Sequence, residues 1–274
     1  FAVVLDIAAG RVRHRFDAVA GRHFFGHGFF SPDGRLLYAT ENDYDGEAGA
    51  IGVYDTTAGW RRVGEIAGVG TEPHEATLLS DGRTIVAADG GILTHPDYGR
   101  EKLNLATMAP ALVYVDRDSG EVLETARLDP ALHRLSIRHL ACEAAGTVWF
   151  GCQYEGDPGD DVGLVGRHRR GEAPELVALP GEVTRALKQY VGSVAVNRAG
   201  TRIAVTSPRG GRVVVLDAAS GALVADLEQP DVCGIAPCGD ERFGTSDGRG
   251  GLVLGAAAPV RHPGIAFDNH LRAL

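Results

Sequence analysis

Four histidines occupy matching positions in a repeated phrase of the sequence, and they are the residues best suited to chemistry. They are His27, His74, His139 and His270. A neutral imidazole nitrogen is a common ligand for iron, copper and zinc. Three of the four stand just ahead of an apolar run that leads to a turn glycine, seven residues ahead for His27 and His139 and eight for His74. This spacing predicts that the histidines begin equivalent elements of a repeated structure.

The repeated element is a strand, a tight turn and a second strand. Its clearest copy, residues 73–88, has an apolar run on each side of Ser80-Asp81-Gly82. Because glycine tolerates a positive φ and aspartate bonds to nearby backbone, this turn suits a hairpin. Further copies span residues 26–38, 138–150 and 192–205.

A second phrase alternates with the first and supplies two more strands to each repeat. It consists of an apolar strand, an aspartate, a few small residues and a glycine, and an apolar-rich strand follows it. Its best copies span residues 3–10, 52–59, 113–120 and 214–221. Four short strands recurring about every 40–60 residues are typical of a β-propeller. We therefore predict an all-β fold, with residues 1–274 forming a single β-propeller domain of four-stranded blades.

The number of inner strands predicts six blades, with a seventh left open. The six starts lie near His27, His74, His139, Ser193, Cys233 and His270. The last start is close to the C-terminus and the first aspartate–glycine phrase is at the N-terminus, so we expect N- and C-terminal strands to share a blade and close the ring. Residues 267–271 would be its inner strand, and its second strand would precede Phe1. Because inner strands line the channel of a propeller, the four histidines are predicted to meet at one mouth of it.

Other residues near these positions are additional candidates for the site. Glu75 could complete a shell of histidines and a carboxylate, and His95 lies in a long insertion that could fold over the same mouth. Arg100 and Lys102 belong to the same insertion. The remaining candidates, which stand beside inner strands or in a turn, are Arg138, Cys233, Asp268 and Arg209. For each residue alone, the alternative is a structural role such as a bond to backbone, a surface charge or a turn.

The composition excludes several classes of function. The net charge of −9 argues against a nucleic-acid partner, which requires a basic face. No run approaches the roughly 18 apolar residues of a membrane span. The four cysteines fit no metal-finger spacing, so free buried thiols are favoured over a disulfide. The chain opens at Phe1 inside an apolar run, which fits a removed leader or a trimmed chain. We expect a monomer.

Short motifs spread over nearly the whole chain resemble a bacterial family, the domain of unknown function 1513, which is labelled iron-regulated. The matching segments are 26–34, 73–75, 94–96, 102–104, 136–140, 149–154, 190–193, 207–211, 231–234 and 268–271. The resemblance implies export to the periplasm, commonly behind a twin-arginine leader. It also implies partners that handle iron, such as imelysin-like and dihaem cytochrome-like proteins. It implies no particular activity.

Three functions follow from these observations. The first is a periplasmic β-propeller that binds iron or copper at a histidine-lined channel mouth and serves metal acquisition or handling. The second is an enzyme, either a metal-dependent oxidase or a hydrolase of the lactonase kind. Lactonase-like propellers hold Ca²⁺ through oxygen atoms, whereas the inner positions here offer mainly nitrogen. The third is a scaffold that docks proteins without a metal. Whether the protein is an enzyme is left open.

Overall fold

The computed structural model describes residues 1–99 and 101–273. The chain divides into two compact units, Phe1–Arg127 and Leu128–Leu274, which are described in turn. Over these described residues, both are built from antiparallel sheets, five of four strands and one of two strands, in which the strands of each sheet follow one another along the chain. This confirms the all-β class and the four-stranded blades. That the two units form one domain with a closed ring stays a prediction.

Unit 1 contains one two-stranded sheet and two four-stranded blades. The small sheet pairs β1 (Ala2–Asp6) with β2 (Arg11–Phe16). The first blade consists of β3 (Arg22–Phe30), β4 (Leu36–Asp43), β5 (Ala48–Asp55) and β6 (Arg61–Ile66). The second blade consists of β7 (Pro73–Leu78), β8 (Thr84–Asp89), β9 (Ala111–Asp116) and β10 (Val122–Ala126).

Among the described residues, unit 2 contains three four-stranded blades, one short α-helix and the 3₁₀ helix Pro130–Leu132. The strands of the first blade are β11 (Leu135–Cys142), β12 (Val148–Tyr154), β13 (Val165–His168) and β14 (Glu175–Leu176). The next blade, which follows helix α1 (Gly181–Ala186), consists of β15 (Ser193–Val196), β16 (Arg202–Ser207), β17 (Arg212–Asp217) and β18 (Leu223–Glu228). The last blade consists of β19 (Val232–Cys238), β20 (Arg242–Asp247), β21 (Gly251–Leu254) and β22 (Val260–Arg261).

The two repeated phrases form the two kinds of hairpin that the sequence predicts. The first phrase joins the first and second strands of a blade, and its turn glycine has a positive φ, as at Gly82 (φ 67°). The second phrase joins the third and fourth strands. There the Asp116 carboxylate accepts hydrogen bonds from the backbone N–H groups of Asp118 and Ser119, at 3.0 and 2.8 Å. Side-chain capping of this kind fixes the turn locally.

Blades within a unit pack face to face through aliphatic side chains. In unit 1 the buried residues Ile51, Ile85 and Val113, from three strands of the two blades, belong to one apolar cluster. In unit 2, Ala204 and Ile235 join the last two blades in the same way. Because each blade covers its neighbour's face, the positions of the inner strands depend on this packing.

The predicted shared blade is not formed by strand pairing. β1 and β2 have the sequence of a third and a fourth strand, and β1 pairs only with β2 among the described residues. Residues 267–271 are not a strand, so this part of the prediction is wrong. Pro263 and Gly264 (φ 80°) interrupt the chain after β22. The Asp268 side chain then accepts the N–H of Asn269 at 2.7 Å, a local bond that competes with a strand ladder.

The cysteines agree with the prediction of free thiols. Cys152, Cys233 and Cys238 are free thiols. Among the residues that the structure describes, no helix is both long enough and apolar enough to span a membrane.

Candidate metal centre

In unit 1, each strand that carries a candidate histidine shifts its register at that histidine. In β3 the shift lies between Phe24 and Gly28, so it contains His27. In β7 the shift lies between Pro73 and Glu75, so His74 is the extra residue. A β-bulge leaves a residue outside the ladder and turns its side chain in a new direction. Both imidazoles are therefore placed by bulges.

Two inner strands of unit 2 contain a similar irregularity. β11 shifts its register between Ile137 and His139, so Arg138 is the extra residue and His139 follows it directly. In β19 the shift contains Cys233 and Gly234. The candidates Arg138 and Cys233 thus lie at bulges, and both are buried.

His27 and His74, which we call the first histidine pair, lie together in unit 1. Their ring centroids are 5.2 Å apart and the rings are tilted by 53°. The His27 Nδ1 atom lies 3.8 Å from Oε1 of Glu75, and the side chains of His27 and Glu75 are only 6% and 9% exposed. A carboxylate buried to this extent requires a cation, a proton or several donors nearby. Two imidazoles and a carboxylate therefore lie close together at a largely buried place.

A buried threonine holds the backbone beneath the first histidine pair. The Thr40 hydroxyl, on β4, lies 3.3 Å from the carbonyl oxygen of His27 and 3.4 Å from that of His74. Unit 2 repeats this arrangement, because Thr206 on β16 donates to the carbonyl oxygen of Cys233 at 2.6 Å. Cys233 thus takes the place in its blade that His74 takes in the second blade.

His139 and His270, the second histidine pair, lie together in unit 2. Their ring centroids are 5.4 Å apart with a tilt of 51°. His139 is 2% exposed and belongs to β11, whereas His270 is exposed and belongs to irregular chain. The two pairs therefore have nearly the same ring spacing, but the first lies on two strands and the second on one strand and one irregular segment.

Burial, together with the negative charges of Asp231 and Asp268, raises the pKa of the Cys233 thiol to about 11. The Sγ atom lies 3.2 Å from the carbonyl oxygen of Asp231. Asp268 is itself exposed. The thiol would have to lose its proton before it could bind a metal ion.

The other predicted residues have local contacts of their own. Arg209 is exposed, and its guanidinium lies 4.4 Å from the centroid of the Tyr190 ring. His95 packs edge-on against Tyr44 with a centroid distance of 5.3 Å, and its Nδ1 accepts the N–H of Asp97. Its reach to the first histidine pair stays a prediction.

Lys102 is exposed and Arg100 lies outside the described residues. The insertion that carries them is held together by Asn104. The Asn104 side chain accepts the N–H of Leu93 at 2.7 Å and donates to the carbonyl oxygen of Gly91 at 2.9 Å.

Several residues that shape the site were not identified from the sequence. Thr40 and Thr206 share one signal, since each follows its turn glycine by six residues. The bulges leave no comparable signal, because an extra residue in a strand is visible only when its partner strand is known. Tyr190 and Asn269, which join the 268–271 segment to unit 2, form a hydrogen bond of 3.2 Å.

The donors present suit a transition metal. His27, His74 and His139 are the candidate metal ligands among the described residues, each through one ring nitrogen. Imidazole with a carboxylate suits iron, copper or zinc, whereas Ca²⁺ and Mg²⁺ prefer sets made of oxygen.

Comparison with known proteins adds one finding. Residues 1–274 match the model of a family described as "Protein of unknown function (DUF1513)". The chain belongs to the DUF1513 family. This confirms the family that the sequence motifs indicated. No curated protein matches the sequence. The DUF1513 description names no activity, so the chemistry of this member is argued from its own side chains.

Proposed function

We propose that this protein binds a transition-metal ion, iron or copper, and serves metal acquisition or handling in the periplasm. The observation that carries the proposal is the first histidine pair. Its two imidazoles lie 5.2 Å apart, and a buried carboxylate lies beside one of them. Two nitrogens and a carboxylate form a donor set that is common for iron.

The proposed ligands are His27, His74, His139 and His270, with Glu75 as a further donor. Support for the last two histidines comes from their spacing of 5.4 Å, which repeats that of the first pair. Bulges at or beside three of the four histidines support the same assignment, since bulges are frequent next to functional sites. Metal stoichiometry will decide whether the two pairs bind one ion or two.

The cellular role rests on the resemblance to the family. It implies export to the periplasm and partners of the imelysin-like and dihaem cytochrome-like kinds. A binding protein that delivers or stores iron beside such partners is consistent with nitrogen and carboxylate donors. We include both the location and the partners in the proposal.

The test is metal analysis of protein purified without a histidine tag. The chain is loaded with Fe²⁺ without oxygen, or with Cu²⁺, then desalted and analysed for metal per chain. We expect a whole-number ratio for the unaltered protein. His27→Ala and His74→Ala should lose metal, as should His139→Ala and His270→Ala.

His262→Ala is the matched control. His262 is exposed and belongs to neither pair, so its removal should leave the metal ratio unchanged. Unfolding curves of each variant separate the loss of a ligand from the loss of the fold. Retention of no iron and no copper by the unaltered protein would contradict the proposal, and so would full retention by His27→Ala and His74→Ala.

A further inference from the structure

The segment Asp268–Leu271 is not a strand, but it packs closely against a glycine of an inner strand in unit 2. A Cβ atom at Gly234 would lie 2.8 Å from the backbone nitrogen of Leu271 and 2.9 Å from the carbonyl carbon of His270. Side chains cannot approach backbone atoms so closely. Gly234 does not have the positive φ that would itself require glycine. The Ser246 Oγ atom would be equally close, at 2.8 Å, so a glycine at this position leaves room for both the segment and Ser246.

A second glycine contacts the same segment. A Cβ atom at Gly192 would lie 3.2 Å from Oδ1 of Asn269, and its nearest neighbour would be Pro208 at 2.9 Å. Gly192 also lacks a positive φ. Gly192 directly precedes β15 and Gly234 lies in β19, so the starts of two neighbouring inner strands together leave room for the segment.

A side-chain hydrogen bond helps to fix the segment in this groove. The Asn269 Nδ2 atom donates to the hydroxyl of Tyr190 at 3.2 Å. Tyr190 is held in turn by an isolated bridge to Gln153 on β12, and the Arg209 guanidinium covers its ring. Asn269 therefore connects the segment to a side chain whose own position is set by two neighbours.

These contacts of the segment place His270 beside His139. Its ring lies 5.4 Å from that of His139, although it is exposed and belongs to irregular chain. Ligands on strands are held by a ladder of hydrogen bonds, whereas the segment that contains His270 belongs to no strand. Segments with few buried contacts open at low free-energy cost.

We propose that Asp268–Leu271 is a detachable strap that controls the exchange of metal at His139. In this arrangement Gly192, Gly234 and Asn269 are positioning residues that hold His270 as a ligand. Release of the strap removes one donor and admits a competing ligand or a recipient molecule. The inference rests on the proposed function, because it assigns a role to His270 as a ligand.

The test measures how fast metal leaves and how well the strap is protected. Metal-loaded protein is mixed with excess chelator and the release rate is recorded. Hydrogen exchange of the peptide covering residues 262–273 is measured on the metal-free chain. Gly234→Ala should displace the strap, raise its exchange, and speed metal release about tenfold or more, which is the lower end of the effect of losing a supporting contact. Asn269→Ala should act in the same direction with a smaller change.

Gly163→Ala is the matched control in the same unit. A Cβ atom there would make ordinary contacts of 3.6 Å or more, so release and exchange should be unaffected. The double variant Gly234→Ala with His270→Ala should release metal no faster than His270→Ala alone, since both changes remove the same ligand. A double variant that is clearly faster would overturn the positioning role.

The outcomes distinguish the two proposals. If the unaltered protein binds no metal, the proposed function fails. If it binds metal and Gly234→Ala and Asn269→Ala keep both the normal release rate and the normal exchange, only the strap is overturned. If Gly234→Ala does not fold, Asn269→Ala and Tyr190→Phe give the same two readouts.

Discussion

The two histidine pairs have almost the same spacing but unlike supports. In the first pair, His27 and His74 both belong to inner strands of neighbouring blades. In the second, buried His139 belongs to a strand, whereas exposed His270 belongs to a segment outside any sheet. The ring centroids are 5.2 Å apart in one pair and 5.4 Å in the other.

The two pairs differ in which contacts must break before their two histidines can separate. Ligands on two packed blades cannot separate unless the apolar contacts between the blades break. A ligand on a seated segment separates when a few contacts open. Under the proposed function, the first pair would therefore hold its ligands more firmly than the second.

The largest loss of unfolding free energy is expected when the cation of a buried ion pair in the first blade is removed. The Glu41 side chain is fully buried on β4, beside Thr40, and Arg62 Nη2 donates to its Oε2 at 2.8 Å. The hydroxyl of Tyr54 also donates to Glu41. Arg62→Met would leave the carboxylate without its cation. We expect it to lower the free energy of unfolding by about 3–5 kcal/mol.

Arg202→Met in unit 2 is the comparison for this variant. Arg202 Nη1 lies 2.6 Å from Oδ2 of Asp217, but the two side chains are 34% and 32% exposed. Solvent screens such a pair, so the expected loss is much smaller than for Arg62→Met. Denaturant unfolding can follow each unit separately, because Trp60 lies in unit 1 and Trp149 in unit 2. Equal losses for the two variants would contradict the assignment of Glu41 as a buried charge.

A smaller effect is expected at the two threonines beneath the inner strands. Thr40→Val removes the hydroxyl that faces the carbonyl oxygens of His27 and His74, and Thr206→Val removes the donor to Cys233. Each variant should lose about 1–2 kcal/mol of unfolding free energy, since a buried carbonyl loses a donor.

Only the first of these variants should change metal binding. Thr40→Val lets the bulges of the first histidine pair relax, so we expect weaker metal affinity by about tenfold, the lower end for a supporting contact. Thr40→Ser should restore the affinity because it keeps the hydroxyl. Metal titration of all three variants measures this, and an affinity loss in Thr206→Val equal to that in Thr40→Val would show that the effect is general destabilisation.

The hairpins that contain the histidines could be predicted from the sequence, whereas the Asp268–Leu271 segment could not. Turn glycines such as Gly82 have one local cause, a positive φ, and so their hairpins are readable from the chain. The strap could not be read in the same way. Residues 267–271 contain an apolar residue and a histidine in the order of an inner strand, but the chain turns at Pro263–Gly264 and the N–H of Asn269 donates to the Asp268 side chain instead of to a ladder.

The bulges and the glycine groove were unpredictable for a different reason. They depend on which residues of other segments pair with or pack against them. His74 becomes an extra residue only because Pro73 and Glu75 pair with the consecutive residues Asp89 and Ala88. Gly234 leaves room for the strap and for the Ser246 hydroxyl on β20. Such causes lie between segments distant in the chain, so a local pattern does not contain them.

The smallest expected effect is a pH dependence confined to unit 1. His23 lies on β3, the strand that also carries His27, and stacks on Tyr44 with a centroid distance of 6.2 Å. Its Nδ1 atom is buried and has no hydrogen-bond partner among the described residues. Burial lowers the pKa of His23 below its model-peptide value of 6.5. The unfolded chain therefore binds a proton at a pH where the folded chain does not.

The sign of the effect follows from this difference in proton binding. The stabilisation contributed by neutral His23 is complete above pH 6.5 and is lost as the pH falls below that value, until the folded state also takes up the proton. His23→Gln cannot titrate, so the unfolding midpoint of unit 1, followed by Trp60 fluorescence in a Trp149→Phe background, should vary less between about pH 7 and 5. In the unaltered chain, the transition of unit 1 should weaken over this range relative to the variant. Parallel pH curves for the two proteins would mean that His23 takes up its proton as readily in the folded strand as in the unfolded chain.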